Sequence, residues 1–360
     1  MTQGSDAPRP PPALDALAVD DPWPSRWRRR GLSISVVLIA LVGLIGAAPV
    51  LVPLCALVDV IARRNFALVR FYAMSTAVAV LETAGLAAAL ALFVRFGPRV
   101  AGAPGAEAAH LRVQAWWVGA MTWAARTIFG FRLELDGALP PLTPDARTIV
   151  LVRHATVVDS LFPTVLFGDR GRRLLRFVLK RELLWDPCLD VFGQRLPNAF
   201  VAREGADGER ERLRVRALAE GLRVGEGLVL FPEGTRFSAE RRARAIERLE
   251  ARGRADAAER ARALVATLSP RLGGFEAALD AIATVGGAAE VVVVGHAGLE
   301  GVRRLSDVWR GSAIGARVVL RAWRHDGADL PATREGREVW LHARWLELDR
   351  WVRAQLGAES

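Results

Sequence analysis

Two long apolar runs come first along the chain, and short apolar stretches alternating with polar ones fill the rest. Residues 32–58 hold no charged side chain. At about 1.5 Å per residue this run exceeds the roughly 30 Å hydrocarbon core of a bilayer. Pro49 and Pro53 within it predict a kink or a break. Residues 71–94 form the second run, with Glu82 as its only charge. An acid in such a segment faces another helix, water or the interface. Arginines flank both runs (Arg26, Arg28, Arg29 and Arg30, then Arg63, Arg64 and Arg70, then Arg95 and Arg99), so positive-inside asymmetry decides little about orientation. Two spans and a hairpin dipping into one leaflet both fit, and both attach the chain to a membrane.

From residue 131 the pattern changes. Short β-rich runs fall at 132–135, 148–152, 174–179, 199–202, 228–231, 290–294 and 316–323, with helical stretches between most of them. Continuous apolar strands alternating with helices predict an α/β fold, a mostly parallel sheet with helices on both faces, preceded by two membrane-associated helical segments. The expected organisation is a disordered basic N-terminus over 1–30, two apolar membrane segments over 31–97, and a Gly/Pro-rich linker with an amphipathic, Trp-bearing helix over 98–130. The α/β domain then runs over 131–357. Within it, 239–268 reads as an Ala/Arg/Glu-rich helical insertion broken near Gly253. Such helices are usually solvated, with an Arg-rich contact to anionic lipid as the alternative. Trp340, Trp345 and Trp351 in the last helix suit core packing.

Composition adds three constraints. The formal charge is +10, from 49 basic and 39 acidic residues. Because the excess is spread along the chain, it suits anionic lipid or phosphate head groups rather than nucleic acid. Cys55 and Cys188 form no CxxC pair and no disulfide framework, which suits a reducing compartment. No GxSxG, HExxH, GxGxxG or P-loop pattern is present, and the five histidines have no cysteine partners, so no metal site is expected.

Two clusters remain that could carry chemistry. Arg153-His154-Ala155-Thr156-Val157-Val158-Asp159-Ser160 follows the strand expected at 148–152. On a regular helix His154 and Asp159 would stand about 140° apart. They meet only if His154 lies in the turn and Asp159 in the first helical turn, where an imidazole on a buried carboxylate suits a general base. The competing reading is a capping box, with Thr156 as N-cap and Asp159 three residues on. Leu228 to Arg236 is the second cluster, a buried strand ending in Phe231-Pro232-Glu233-Gly234-Thr235-Arg236. Arginine and glycine-turn amides both suit phosphate; a plain strand–turn–helix junction fits equally.

Taken together, the clusters resemble the glycerolipid acyltransferase family, which includes the 1-acylglycerol-3-phosphate O-acyltransferases. His154 and Asp159 match its first block, with Thr156 where Ser is common and Arg153 where Asn is usual. Phe231 to Arg236 matches the third block without a change. Lys180-Arg181-Glu182-Leu183 through Gly193, then Phe200-Val201-Ala202-Arg203, resembles the second. Residues 291–294 stand for the fourth, where Gly295-His296 follows and the usual Pro is absent. Ser269-Pro270-Arg271 before Gly274-Phe275, Phe237 after Arg236, and Trp340-Leu341 before Leu348-Asp349-Arg350 are similar to the branch containing lysocardiolipin acyltransferases.

The resemblance implies acyl transfer from acyl-CoA or acyl carrier protein to the free hydroxyl of a lysophospholipid, most simply 1-acyl-sn-glycerol-3-phosphate. It implies no cofactor. His154, oriented by Asp159, would be the base. Arg203 and Arg236, with Lys180, would hold the acceptor phosphate, and Glu233 would bind the glycerol or hold these basic groups. Gly234, letting the backbone approach closely, and Thr235 would complete the substrate-binding set. A satisfied structural role suits His296 better than a second catalytic one. The partners implied are membrane lipid and the thioester donor, at a cytoplasmic membrane with the domain facing the cytoplasm. A different lysolipid acceptor such as lysocardiolipin, a membrane esterase and a noncatalytic lipid-binding protein are the rival readings.

Overall fold

The computed structural model describes residues 21–97, 100, 105–156, 158–169, 173–201 and 208–357. It begins with helix α1 (Trp23–Ile61), helix α2 (Ala67–Phe96) and helix α3 (Ala106–Phe129). A seven-stranded sheet follows, from strands β1 (Arg132–Leu135), β2 (Ala146–Val152), β3 (Leu174–Lys180), β4 (Ala199–Val201), β5 (Glu226–Leu230), β6 (Ala288–Ala297) and β7 (Arg317–Asp326). Its order is β1-β7-β6-β2-β5-β3-β4, parallel throughout except for the antiparallel pair β6–β7. The remaining helices are α4 (Gly208–Glu220), α5 (Ala239–Ala251), α6 (Ala255–Ala263), α7 (Leu272–Val285), α8 (Leu305–Trp309) and α9 (Arg334–Gly357).

The central strands read as unbroken apolar runs because alternate side chains enter two different cores. Ile149 and Leu151 of β2, Leu228 and Leu230 of β5, and Val291 and Val293 of β6 pack against α4, α7 and α9. Val150, Val152, Val229, Val292 and Val294 face the other way, toward Phe129, Phe162, Leu166 and Phe167. Parallel register sets Val150 beside both Val229 and Val292. The carboxyl ends of β2, β5 and β3 therefore open on one edge, where loops of such sheets gather ligands.

The apolar N-terminal segments fold as an antiparallel hairpin. Asp59 closes it by accepting the amides of Leu68 and Val69 at 2.9 and 3.0 Å, where α2 begins. Two expectations change here. The helix α1 is continuous through Pro49 and Pro53, so neither proline ends it. Nor does disorder extend to residue 30: Arg26 to Arg30 form the first turns of α1, started by Pro22 and Pro24. Residues 1–20 and most of the expected linker lie outside the described residues. Arg29 and Arg30 do not reach for lipid phosphate. They grip the buried Asp190 at 2.9 and 3.2 Å, and Arg29 also binds Asp21.

The helix α2 lies against the α/β domain along much of its length. The Phe71 ring stands 5.8 Å from Trp309, Glu82 accepts the Cys188 amide at 3.2 Å, and Arg195 donates to the Gly97 carbonyl at 2.7 Å. Glu82 thus faces the domain and not lipid. By contrast, α1 leaves its most apolar stretch uncovered. The insertion forms α5 and α6, with Gly253 between them.

Gly298, just beyond β6, has φ +102°, and a side chain there would place its first carbon 1.8 Å from the Arg317 carbonyl oxygen. Backbone leaves no room to relax, so Gly298→Ala should destabilise the domain by on the order of 3 kcal/mol. Chemical denaturation followed by tryptophan fluorescence checks this; an unchanged midpoint would contradict the geometry.

Candidate active site

The turn after β2 presents His154, with its side chain 16% exposed, above Asp159, which is 1% exposed. His154 Nδ1 lies 2.9 Å from Asp159 Oδ2. A carboxylate there requires a proton on Nδ1, which leaves Nε2 as the acceptor. Asp159 Oδ2 also accepts the amides of Ala155 and Thr156 at 2.6 and 2.9 Å, and Oδ1 accepts the Thr156 hydroxyl. Thr156 Oγ1 in turn accepts the Val158 amide at 3.2 Å. The helix starts only at Leu161, with Ser160 before it, so Asp159 precedes the first helical turn and no capping box forms; its carboxylate closes the turn and holds the imidazole.

On the far side of Asp159 sits His296, fully buried within β6, its Nε2 3.2 Å from Asp159 Oδ1 and 3.2 Å from the Arg153 carbonyl oxygen. His296 does not line the cavity above His154, which agrees with a structural role. Burial works against charge on Asp159, yet His296 and His154 on either side hold its carboxyl well below the usual range.

Arg153 points inward, completely buried. Its guanidinium donates to the His296 carbonyl (2.5 Å), the Ala266 carbonyl (3.0 Å) and Glu300 (2.7 Å). It ties the ends of β2 and β6 to the loop before α7, and only its sequence neighbour enters the site.

The second cluster forms the opposite wall. Phe231 lies 4.9 Å from the His154 ring. Arg236 lines the cavity and donates to the Arg303 carbonyl at 2.9 Å. Gly234 takes φ +67°, which a glycine adopts without strain. Thr235 is half-buried in the turn and does not line the cavity. Glu233 is placed differently from expectation. Its carboxylate reaches neither the cavity nor the basic groups; Oε1 accepts the His154 amide and Oε2 the Leu268 amide, each at 2.9 Å. Burial pushes this carboxyl upward, and the two amides offset part of that rise.

His154, Asp159, Lys180, Gly234 and Arg236 all line one cavity of about 780 Å³. Its walls continue over Val178, Leu179, Val215, Leu230 and Phe275, and over Arg212, Arg271 and Arg334. These three arginines were not singled out as site residues from the sequence; the Ser269-Pro270-Arg271 motif was the signal that could have flagged one. Arg203 lies outside the described residues. Among the described residues no cluster of His, Cys, Asp and Glu is arranged to hold a metal. The site thus offers an imidazole base, cations beside it and an apolar wall.

Residues 139–294 match the family model described as Acyltransferase. The fold is similar to that of the 1-acyl-sn-glycerophosphate (LPA) acyltransferase PlsC from Thermotoga maritima, with a TM-score of 0.52 at 14% identity, covering 81% of this chain and 97% of that one.

Charge around the imidazole makes a prediction. Burial lowers the His154 pKa from its ordinary 6.5; Asp159 pulls it up, and Lys180 and Arg236 push it down, with a net lowering. The base therefore stays neutral until the pH falls below 6.5. Nitrogen NMR of the His154 ring should give a midpoint under that value, rising in Arg236→Gln, where one repelling charge is gone. A midpoint that stays put in the variant would disconnect the two residues.

Proposed function

We propose that this chain works as a membrane-attached O-acyltransferase moving a fatty acyl group from a thioester onto the free hydroxyl of a lysophospholipid, in the first place 1-acyl-sn-glycerol-3-phosphate, a reading supported by the match of residues 139–294 to the Acyltransferase model. The observation that carries the proposal is the His154–Asp159 pair opening into a cavity with cations on one side and an apolar wall on the other. His154 Nε2 removes the acceptor's hydroxyl proton as that oxygen attacks the thioester carbonyl. The tetrahedral intermediate collapses by breaking the C–S bond, and the departing thiolate takes the proton back from the imidazolium. Asp159 keeps the ring in the required tautomer and offsets its transient charge. No acyl-enzyme and no cofactor enter this scheme.

Arg236 and Lys180 hold the acceptor phosphate beside the base, and Arg203 from the matching block joins them. The donor is acyl-CoA or acyl carrier protein. Acyl chains lie along Val178, Leu179 and Phe275. The hairpin supports attachment to the cytoplasmic membrane with the domain on the cytoplasmic side, where thioesters are made. Because α2 is partnered by the domain while α1 is bare, a hairpin lying in one leaflet fits better than two independent spans. No nucleic acid enters this reading.

Purified full-length protein in lipid vesicles, supplied with acyl-CoA or acyl carrier protein thioester, should convert lysophosphatidate to phosphatidate. Lysocardiolipin as a much better acceptor would move the assignment to that lysolipid, and hydrolysis with no acyl lipid formed would mean an esterase. His154→Ala should cut turnover by roughly 10²–10⁴-fold while leaving the melting temperature nearly unchanged. Retention of half the activity would remove His154 as the base.

For Arg236→Lys, the charge stays but the planar fork that grips two phosphate oxygens is lost. The acceptor KM should rise by about tenfold or more, with little change for the donor. An unaltered preference for phosphorylated over unphosphorylated acceptor would make Arg236 a structural residue of its turn.

A further inference from the structure

The loop between α6 and α7 is fixed to the catalytic turn residue by residue. Asp349 of α9 accepts three consecutive amides with one oxygen, those of Val265, Ala266 and Thr267, at 2.9, 2.7 and 2.9 Å. Glu233 accepts the next, Leu268, at 2.9 Å. The Arg271 amide then donates to the Pro232 carbonyl at 2.9 Å. A loop held at five amides by two buried acids and the turn itself has little freedom to move. It delivers the Arg271 side chain to the cavity wall, against Gly234.

Gly234 is open at the side where Arg271 arrives. A side chain at 234 would set its first carbon 3.1 Å from Arg271 Cζ and 3.2 Å from Nη1. The glycine thus makes room for this guanidinium in addition to taking its positive φ. Of its neighbours on the wall, Arg334 is bound to the Glu276 carboxylate. Arg271 forms no ion pair and no side-chain hydrogen bond among the described residues. A planar guanidinium with its donors unspent, fixed by its backbone at the edge of a reaction cavity, is suited to a bidentate oxyanion.

We propose that Arg271 is a substrate-phosphate-binding residue, gripping a phosphate monoester or diester across Gly234 from Arg236. The inference rests on the acyl-transfer reading of the same cavity. Two sources carry this chemistry, the head group of the acceptor and the nucleotide or pantetheine phosphate of the donor. Its backbone position does not depend on the side chain, so the charge is removable without undoing the loop.

The test compares wild type with Arg271→Met, which keeps an unbranched apolar side chain, and with Arg271→Lys, which keeps the charge. Each is assayed with lysophosphatidate against monoacylglycerol, and with acyl-CoA against the phosphate-free acyl-pantetheine. If the acceptor is gripped, the preference for lysophosphatidate should fall about tenfold or more in Arg271→Met, with partial recovery in Arg271→Lys. If the donor is gripped, the preference for acyl-CoA falls instead. Should neither ratio move in a variant that melts like wild type, Arg271 only packs on Gly234 and the inference is wrong. Equilibrium binding of lysophosphatidate and monoacylglycerol in detergent micelles gives the first ratio without turnover. A wild type that transfers no acyl group therefore sinks the reaction, while its binding ratio still decides the role of Arg271.

Discussion

The candidate site depends on one buried carboxyl group that does not line its cavity. Glu233 stands in the turn after β5 and accepts an amide from the turn after β2 and another from the loop before α7. Three segments distant in sequence meet at its two oxygens. The Leu268 contact is fully buried, and leaving such an amide unpaired would cost on the order of 1–3 kcal/mol. The position of His154 over the cavity, and that of Arg271 at its rim, both follow from this junction. Asp349 and Arg153 extend the same device outward, the first by gathering amides of the loop and the second by gathering carbonyls from β6 and the loop. The framework is polar and buried, while the groups that face the cavity hang from it.

Around His154 opposite demands are balanced. A base of the proposed kind must be neutral at rest, and Lys180 and Arg236 help keep the imidazole so. Asp159 then limits the loss, because its charge favours the imidazolium once the proton has moved. Holding Asp159 ionised inside the protein takes a second imidazole, the turn amides and a hydroxyl. His296 takes part from inside the sheet, its ring reaching the carboxylate from the end of β6.

The hairpin and the domain are joined through the segment directly after Lys180. Residues 181–193 carry partners of both N-terminal helices: Asp190 for Arg29 and Arg30, and Cys188 for Glu82. Lys180, a cation of the cavity, is thereby followed directly in the chain by the segment on which the hairpin docks. This docking keeps the site at a set distance from whatever surface α1 lies in.

Much of this could be read from the residues alone. Strands at 148–152 and 290–294 announced themselves because both of their faces are largely apolar, the pattern of a covered sheet. His154 and Asp159, and the turn from Phe231 to Arg236, were visible because groups gathered in a turn at a strand end keep a short local spacing. What escaped was everything set by long-range partners. The reversed direction of β7 leaves no local trace. The continuity of α1 through its two prolines depends on the rest of the helix, since a long apolar helix can absorb the loss of two hydrogen bonds. Glu233 was taken for a substrate ligand because an acid in a signature turn looks chemical; only the fold reveals that its oxygens are already used. Arg271 and Asp349 looked like features of a branch and turned out to meet at one loop, where Asp349 of α9 holds the amides of Val265 to Thr267 and Arg271 stands at the loop's end. Sequence determines which residues are near in the chain and which face is apolar. Which amide a buried acid will meet is decided when the chain closes on itself.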